Sequence, residues 1–156
     1  MPTSACSVAP PDITGNVDAL KLGTETITPV CSASYAQKHG LNTLDDLYRV
    51  TLLCGDLPED WAAWFEVAGG KQPPPFGPRL GDDGAILQAA IDGQGVALGR
   101  SRLVAEDVAL GRLIVPFAVS LDASHAYWFV RPKDIPATRA VHSMREWLAD
   151  HFDEQH

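Results

Sequence analysis

Residues 87–104, LQAAIDGQGVALGRSRLV, hold the pattern that decides the fold. The run 85–92 is apolar on almost every side, which predicts a buried helix. Gly93 ends this helix, and the apolar run 95–99 predicts a strand. Ser101 can cap a second helix that follows at once. A helix, a strand and a helix in so short a stretch predict an α/β architecture.

The same alternation of strands and helices extends outward in both directions. Apolar and β-branched runs bounded by turn residues predict strands at 17–22, 26–31, 50–54, 78–80, 112–117 and 126–131. Caps, Gly stops and i, i+3, i+4 spacing predict helical segments at 32–37, 43–48, 58–68, 101–110 and 136–152. This order predicts an α/β fold with a largely parallel sheet.

Aromatic residues concentrate at two places. Trp61, Trp64 and Phe65 share one face of a predicted helix, which we interpret as a core face rather than a base-stacking platform. Tyr127 and Trp128 are neighbours on a predicted strand and therefore point to opposite faces. The Tyr127 phenol can hydrogen-bond a ligand, so it is a candidate binding residue.

The composition of the chain argues against nucleic-acid-binding and membrane proteins. The chain has 156 residues, a formal net charge of −8 and 46% hydrophobic residues. A surface this acidic disfavours binding to phosphate backbones and to anionic membranes. No apolar run reaches the ~18–20 residues that span a bilayer. Three cysteines without CxxC spacing predict free thiols and a cytoplasmic location.

Motifs for metals, cofactors and nucleophilic catalysis are weak in this sequence. The five histidines show no HxH or HExxH spacing. Gly93, Gly95 and Gly99 lead from a helix into a strand, the reverse of the order in a dinucleotide-binding turn. The residues around Ser101 lack the closing glycine of a nucleophile elbow. We therefore expect no metal, no cofactor and no enzymatic activity.

Two strand-to-helix turns carry candidate ligand contacts. Asp82 and Asp83 precede one predicted helix, and Arg100 and Ser101 precede the next. Open α/β sheets bind ligands outside the carboxyl ends of their strands, so these residues can face a ligand. The alternative is helix capping by the aspartates, which needs no ligand.

Several segments together resemble a known family. PVCSASYA, TLDDL, DWAAWF, GPRL, LQAAIDGQGVALGRSRLV, GRLIVPF and AYWFV, in this order, resemble the effector-binding (substrate-binding) domain of LysR-type transcriptional regulators. The resemblance is strongest to the branch that holds the glycine-cleavage activator and the β-lactamase regulator. It covers about residues 17–152, nearly the whole chain.

The resemblance implies an α/β fold like the type II periplasmic binding proteins, with an effector in a cleft between two lobes. Residues 26–125 are expected to form the complete second lobe. Residues 17–25 and 126–152 are expected to form part of the first lobe, and residues 1–16 a flexible leader. The crossings between lobes are expected at 26–31 and near 125–127.

Departures from the family pattern shape the expected partners. The domain looks truncated on its N-terminal side, without the helix-turn-helix and the front of the first lobe. We therefore expect no DNA-binding domain and no direct contact with nucleic acid. A partial first lobe exposes apolar surface, which favours a homodimer or pairing with a related regulator.

The resemblance also suggests site residues. Tyr127 matches a tyrosine that contacts the effector in the β-lactamase-regulator branch. Asp82 stands where that branch has a serine, which favours an amine-bearing effector over an anionic one. Arg100 is expected on the rim of the second lobe. Cys31 and Ser32 are expected near the mouth of the cleft.

The sequence leaves two hypotheses about the function. The first is a small-molecule effector-binding domain of a LysR-type regulator. The alternative is a non-sensing interaction or dimerisation module derived from such a regulator.

Overall fold

The computed structural model describes residues 5–7, 15–55, 60–71, 73 and 77–153. The chain divides into two compact units, one of Met1–Thr24 with Ser124–His156 and the other of Glu25–Ala123. In chain order the elements are β1 (Ala5–Ser7), β2 (Val17–Gly23), β3 (Thr26–Val30), α1 (Ala33–His39), a 3-10 helix (Leu44–Arg49), α2 (Trp61–Ala68), α3 (Asp83–Ile91), β4 (Ala97–Arg100), α4 (Ser101–Ala109), β5 (Leu121–Asp122), β6 (Tyr127–Pro132) and α5 (Arg139–Asp153).

The sheet of the unit Glu25–Ala123 is mixed rather than largely parallel, which corrects the sequence-based expectation. Its named strands have the order β4-β3-β5, and both pairs are antiparallel. Parallel pairing appears in two isolated bridges, Leu52↔Val96 and Cys54↔Arg79. These bridges extend the sheet beyond β4, so the segments at 51–54 and 77–80 run in the direction of β4.

The aromatic residues of α2 form the centre of this unit, as their spacing predicted. Trp61, Trp64 and Phe65 are each at most 1% exposed. The Trp61 indole donates to the Leu53 carbonyl at 2.9 Å, and the Trp64 indole donates to the Val119 carbonyl at 3.2 Å. Both polar indole groups are therefore satisfied inside the core, which removes the main cost of burying tryptophan.

The glycines around β4 serve packing. Gly93 ends the turn after α3 with φ +74°, a conformation that glycine adopts without strain. A Cβ on Gly99 would lie 2.7 Å from the Val104 Cγ1 and 2.9 Å from the Val30 Cγ2. Only a glycine lets α4 lie this close to β4.

The unit of Met1–Thr24 with Ser124–His156 has a smaller antiparallel sheet of order β1-β6-β2. The strand β1 lies within the segment 1–16 that we expected to be a flexible leader, and it pairs with β6. Residues 1–4 and 8–14 of that segment lie outside the described residues. Helix α5 packs on β2, yet Met144 and Trp147 on this helix are 53% and 60% exposed.

Candidate functional site

One edge of the sheet in the unit Glu25–Ala123 gathers the ends of several elements. The parallel segments 51–54 and 77–80 and the strand β4 all end there, and α3 and α4 start there. Because β3 runs antiparallel to β4, its first residues lie at the same edge. We call this the α3–α4 edge and define it by Glu25, Thr26, Asp82, Asp83, Arg100 and Ser101.

The unit also begins and ends at the α3–α4 edge. Glu25 is its first residue and Ala123 its last. The Ala123 amide donates to the Glu25 carbonyl oxygen at 3.0 Å. The two ends of the unit are therefore held side by side at this edge, next to the starts of the two helices.

A buried ion pair dominates the chemistry of the α3–α4 edge. The Arg100 Nε donates to the Glu25 Oε1 at 2.5 Å, with the two side chains 10% and 0% exposed. A buried guanidinium needs such a partner, because an unpaired charge in the interior is very costly. Within the described part of the chain, the Arg100 Nη2 is buried without any hydrogen-bond partner.

The start of α4 differs from the starts of α1, α2 and α3 in its capping. Ser32, Asp60 and Asp82 each cap a helix by accepting a backbone amide with the side chain. Helix α4 follows Arg100 directly and has no side-chain cap. The Ser101 hydroxyl instead accepts the Thr26 amide at 3.1 Å. The start of α4 therefore lacks the local side-chain cap that α1, α2 and α3 have.

The two aspartates at this edge lie at the start of α3. The Asp82 Oδ2 accepts the Ala85 amide at 3.0 Å, so Asp82 is the N-cap of the helix. Asp83 is half-buried in the first turn. Asp82 therefore has the helix-capping role that the sequence offered as an alternative, and one of its carboxylate oxygens is occupied by the Ala85 amide. The strand segment at 51–54 separates this helix start from β4, which places the two helix starts roughly 10 Å apart.

Cys31 and Ser32 lie at the opposite edge of the same sheet, so they are not part of the α3–α4 edge, and their expected place near the cleft mouth stays a prediction. Cys31 follows the C-terminal end of β3 and pairs with Ile114. It lies four residues along from Ile27, the partner of Arg100, which is roughly 13 Å. Burial raises the pKa of the Cys31 thiol to about 11. Ser32 accepts the Tyr35 amide as the cap of α1.

Tyr127 lies in the unit of Met1–Thr24 with Ser124–His156. It is the first residue of β6, it is half-buried, and it pairs with Gly23 next to a break in register. Its ring centroid lies 5.2 Å from that of Phe152. The indole Nε1 of the neighbouring Trp128 is buried without a hydrogen-bond partner among the described residues.

Sequence reasoning missed Glu25 and the unpaired donor of Arg100. A signal for Glu25 existed, since it is the one charged residue in the run TETITPVC at residues 24–31. A lone carboxylate at the start of an otherwise uncharged strand predicts a buried pair when an arginine ends a neighbouring strand.

Neither a metal site nor a membrane-spanning helix is present among the described residues, which leave out 1–4, 8–14, 56–59, 72, 74–76 and 154–156. No cluster of three histidine, cysteine, aspartate or glutamate residues there is arranged to hold a metal ion. No helix there combines the length and the apolar character needed to cross a membrane.

Comparison with known proteins gives consistent matches. The family described as "LysR substrate binding domain" matches residues 6–153. The transcriptional activator AmpR of Rhodobacter capsulatus is 35% identical over 131 residues, which are 84% of this chain and 44% of that protein. The glycine cleavage system transcriptional activator of Escherichia coli K12 is 31% identical over 130 residues, covering 82% and 43%. The chain thus spans less than half the length of these relatives.

A solved structure matches almost the whole chain. The effector domain of the transcriptional regulator AmpR of Pseudomonas aeruginosa is 26% identical, with a TM-score of 0.82. The match covers 98% of this chain and 73% of that domain.

Proposed function

Since the chain belongs to the family of LysR substrate-binding domains, we propose that it binds a small-molecule effector as the sensing domain of a transcriptional regulator. Its relatives are named as transcriptional activators, and a structural neighbour is named as an effector domain. The glycine cleavage system transcriptional activator, which the sequence led us to expect, and the transcriptional activator AmpR are both among the relatives. The expected fold class is confirmed as well, because such effector domains have the type II periplasmic-binding-protein-like fold.

The observation that carries the proposal is the composition of the α3–α4 edge. Two helix starts, a buried ion pair and both ends of the unit meet at one edge of the sheet. The carboxyl ends of strands in open α/β sheets are where small ligands bind, because helix starts there present unpaired amides. A purely structural edge does not need a buried guanidinium nitrogen without a hydrogen-bond partner among the described residues.

Each candidate residue receives a role in this proposal. Asp82 and Asp83 supply negative charge, which favours an amine-bearing effector; the preference rests on charge, because one Asp82 oxygen is already bonded. Arg100 and Ser101 supply donors and orientation. Tyr127 supplies a phenol, on its match to the β-lactamase-regulator branch. The expected contact of Cys31 and Ser32 with an effector stays a prediction apart from this edge, because both residues lie at the opposite edge of the sheet.

A thermal-shift screen of amino acids, polyamines and cell-wall fragments tests the proposal. A ligand of the native state at 100 times its Kd adds about 2.7 kcal/mol to the free energy of unfolding. For a unit of this size that raises Tm by roughly 10 °C or more. We expect at least one compound class to give such a shift, and a panel without any stabilising compound contradicts the proposal.

The Tyr127→Phe variant tests the proposed phenol contact against a matched control. It removes only the hydroxyl and keeps the ring that packs near Phe152. We expect the stabilisation by a hit compound to fall in this variant. Tyr48→Phe is the control, because Tyr48 donates its hydroxyl to the Lys71 carbonyl on the 3-10 helix side of the other unit. An equal loss in both variants contradicts a contact with the effector.

The second candidate function is the interaction module. The side chains of Met144 and Trp147, one helical turn apart on α5 and both more than half exposed, favour it, because a partner that covers them would bury apolar surface. We propose a homodimer or a pairing with a related regulator through such surface. Analytical ultracentrifugation of the chain and of a Trp147→Glu variant checks it. A monomer at all concentrations contradicts self-association.

The remaining properties follow from the family. We propose a cytoplasmic protein without catalytic activity or cofactor, since the relatives are regulators of transcription. We also propose that this domain makes no direct contact with nucleic acid, because its net charge of −8 repels phosphates.

A further inference from the structure

Helix α5 carries apolar side chains on two of its sides. One side packs on β2 and holds the half-buried residues Val141, Leu148 and Phe152. The other side lies roughly 100° round the helix and is exposed. We call it the α5 stripe and define it by Ala140, Met144, Trp147 and His151. Met144 and Trp147 are 53% and 60% exposed, so the stripe leaves apolar surface in water.

The α5 stripe has the pattern of a helix–helix seam. Its residues follow one another at intervals of four, three and four positions, which is the spacing of the contact positions in a coiled coil. The rings of Trp147 and His151 stack with their centroids 4.9 Å apart and their planes 10° from parallel. We propose that the α5 stripe packs against the α5 stripe of a second copy, with the two helices antiparallel. The inference rests on the second candidate function, self-association, and names the surface and the orientation.

The charges of α5 point to a second copy as the partner. Arg139 and Arg145 lie in the first half of the helix, and Glu146, Asp150 and Asp153 lie in the second half. Among the described residues, neither Arg139 nor Asp150 forms an ion pair. A twofold interface pairs one surface with itself and therefore needs a self-complementary surface. A helix that is basic at one end and acidic at the other is complementary to its own antiparallel copy.

The side chains of the stripe also fit an antiparallel pair. When the centres of the two stripes coincide, Met144 meets the partner's Trp147 and Ala140 meets the partner's His151. A thioether against an indole is a favourable contact, and the small alanine leaves room for the imidazole ring. An antiparallel pair also opposes the two helix dipoles, which favours this orientation.

The charges beside the stripe exclude the parallel orientation. Arg139 and Asp150 are both exposed and flank the stripe on the side that faces away from β2. In the antiparallel pair Arg139 lies within reach of the partner's Asp150, so the pair gains two ion pairs. In a parallel pair each of these residues would lie beside its own copy, and like charges at that distance repel.

The α5 stripe is small for an interface. A standard complex buries about 800 Å² on each partner, which is more than four side chains supply. We therefore expect a weak dimer whose population rises between about 10 μM and 1 mM.

Sedimentation equilibrium of the 156-residue chain over this range measures the dissociation constant, and a charge swap tests the orientation. Arg139→Glu and Asp150→Arg each replace two attractions by two repulsions in the pair, so each is expected to raise the dissociation constant about tenfold. An equimolar mixture of the two variants is expected to associate as strongly as the unmodified chain. In the mixed pair, each carboxylate again meets a guanidinium.

Matched variants control for the change in net charge. Lys38→Glu on α1 and Glu66→Arg on α2 make the same charge reversals at exposed residues of the other unit. We expect them to leave association unchanged, both alone and mixed. Recovery in the mixture of Arg139→Glu with Asp150→Arg also shows that both of these variants are folded.

The outcomes separate the pairing from the wider functions. If Trp147→Glu abolishes association but the mixture stays as weak as the single variants, self-association stands and the antiparallel pairing is overturned. Association that neither Trp147→Glu nor the charge reversals weaken overturns the α5 stripe as the interface. A chain that is monomeric up to about 1 mM overturns the inference together with self-association. The effector function is decided separately, by the thermal-shift screen.

Discussion

The buried ion pair at the start of β3 makes a strong prediction about stability. Glu25→Ala removes the partner of Arg100 and leaves a guanidinium that is only 10% exposed without a counter-charge. Removing one partner of a buried pair typically costs about 3–5 kcal/mol, because the remaining charge stays desolvated. Asp107→Ala is the matched control in the same unit, since it removes the partner of Arg112, which is 48% exposed. An exposed pair contributes at most about 1 kcal/mol.

Urea unfolding followed by tryptophan fluorescence measures both changes. Trp61 and Trp64 are fully buried in the unit that holds the pair, so their emission reports its unfolding. With a typical urea dependence for a unit of this size, Glu25→Ala is expected to lower the midpoint by about 2 M. Asp107→Ala is expected to lower it by less than about 1 M.

A double variant separates the cost of an unpaired charge from the loss of packing. Glu25→Leu combined with Arg100→Met replaces the pair with apolar side chains of similar size. Such replacements are often neutral or stabilising, so the double variant is expected to recover most of the stability that Glu25→Ala loses. If Glu25→Ala lowers the free energy of unfolding by no more than Asp107→Ala does, Glu25 and Arg100 do not form a buried ion pair in solution.

Three further predictions follow from single residues. Asp82→Ala removes the cap of α3 and is expected to cost about 1 kcal/mol by thermal denaturation, whereas Asp82→Ser is expected to be nearly neutral. Gly99→Ala forces a methyl group against Val104 and is expected to cost about 1–3 kcal/mol; an unchanged urea midpoint contradicts the close approach. Burial raises the pKa of the Cys31 thiol from its ordinary 9.0 to about 11, so folding favours the neutral thiol. The free energy of unfolding is therefore expected to carry no Cys31 dependence below pH 9 and to fall between pH 9 and 11. Cys31→Ala is expected to reduce this slope, and burial of Cys54, which also raises the pKa of its thiol, accounts for a remaining part.

The helices were predictable because their ends carry local signals. Gly93 with positive φ follows α3, Asp82 caps it, and the spacing of Trp61, Trp64 and Phe65 fixes the buried face of α2. Two short strands escaped prediction. Leu121–Asp122 has only two residues, and Ala5–Ser7 lies in a Pro-rich and Ser-rich segment, so neither has a period to detect. These strands exist because a neighbouring strand offers unpaired backbone groups, and that partner is invisible to local patterns.

Strand direction decides which residues are neighbours at the candidate site, even where the strands themselves were predicted correctly. Sequence predicted the strands near Thr26–Val30 and Ala97–Arg100, and a parallel sheet would have brought the residues after both strands to one edge. On that basis Cys31 and Arg100 would have been neighbours. The two strands are antiparallel, so the residue that meets the end of β4 is Glu25, at the start of β3. The reversal exchanges a neutral thiol for a carboxylate beside the guanidinium. The charge balance of the edge therefore depends on a pairing that no local pattern encodes.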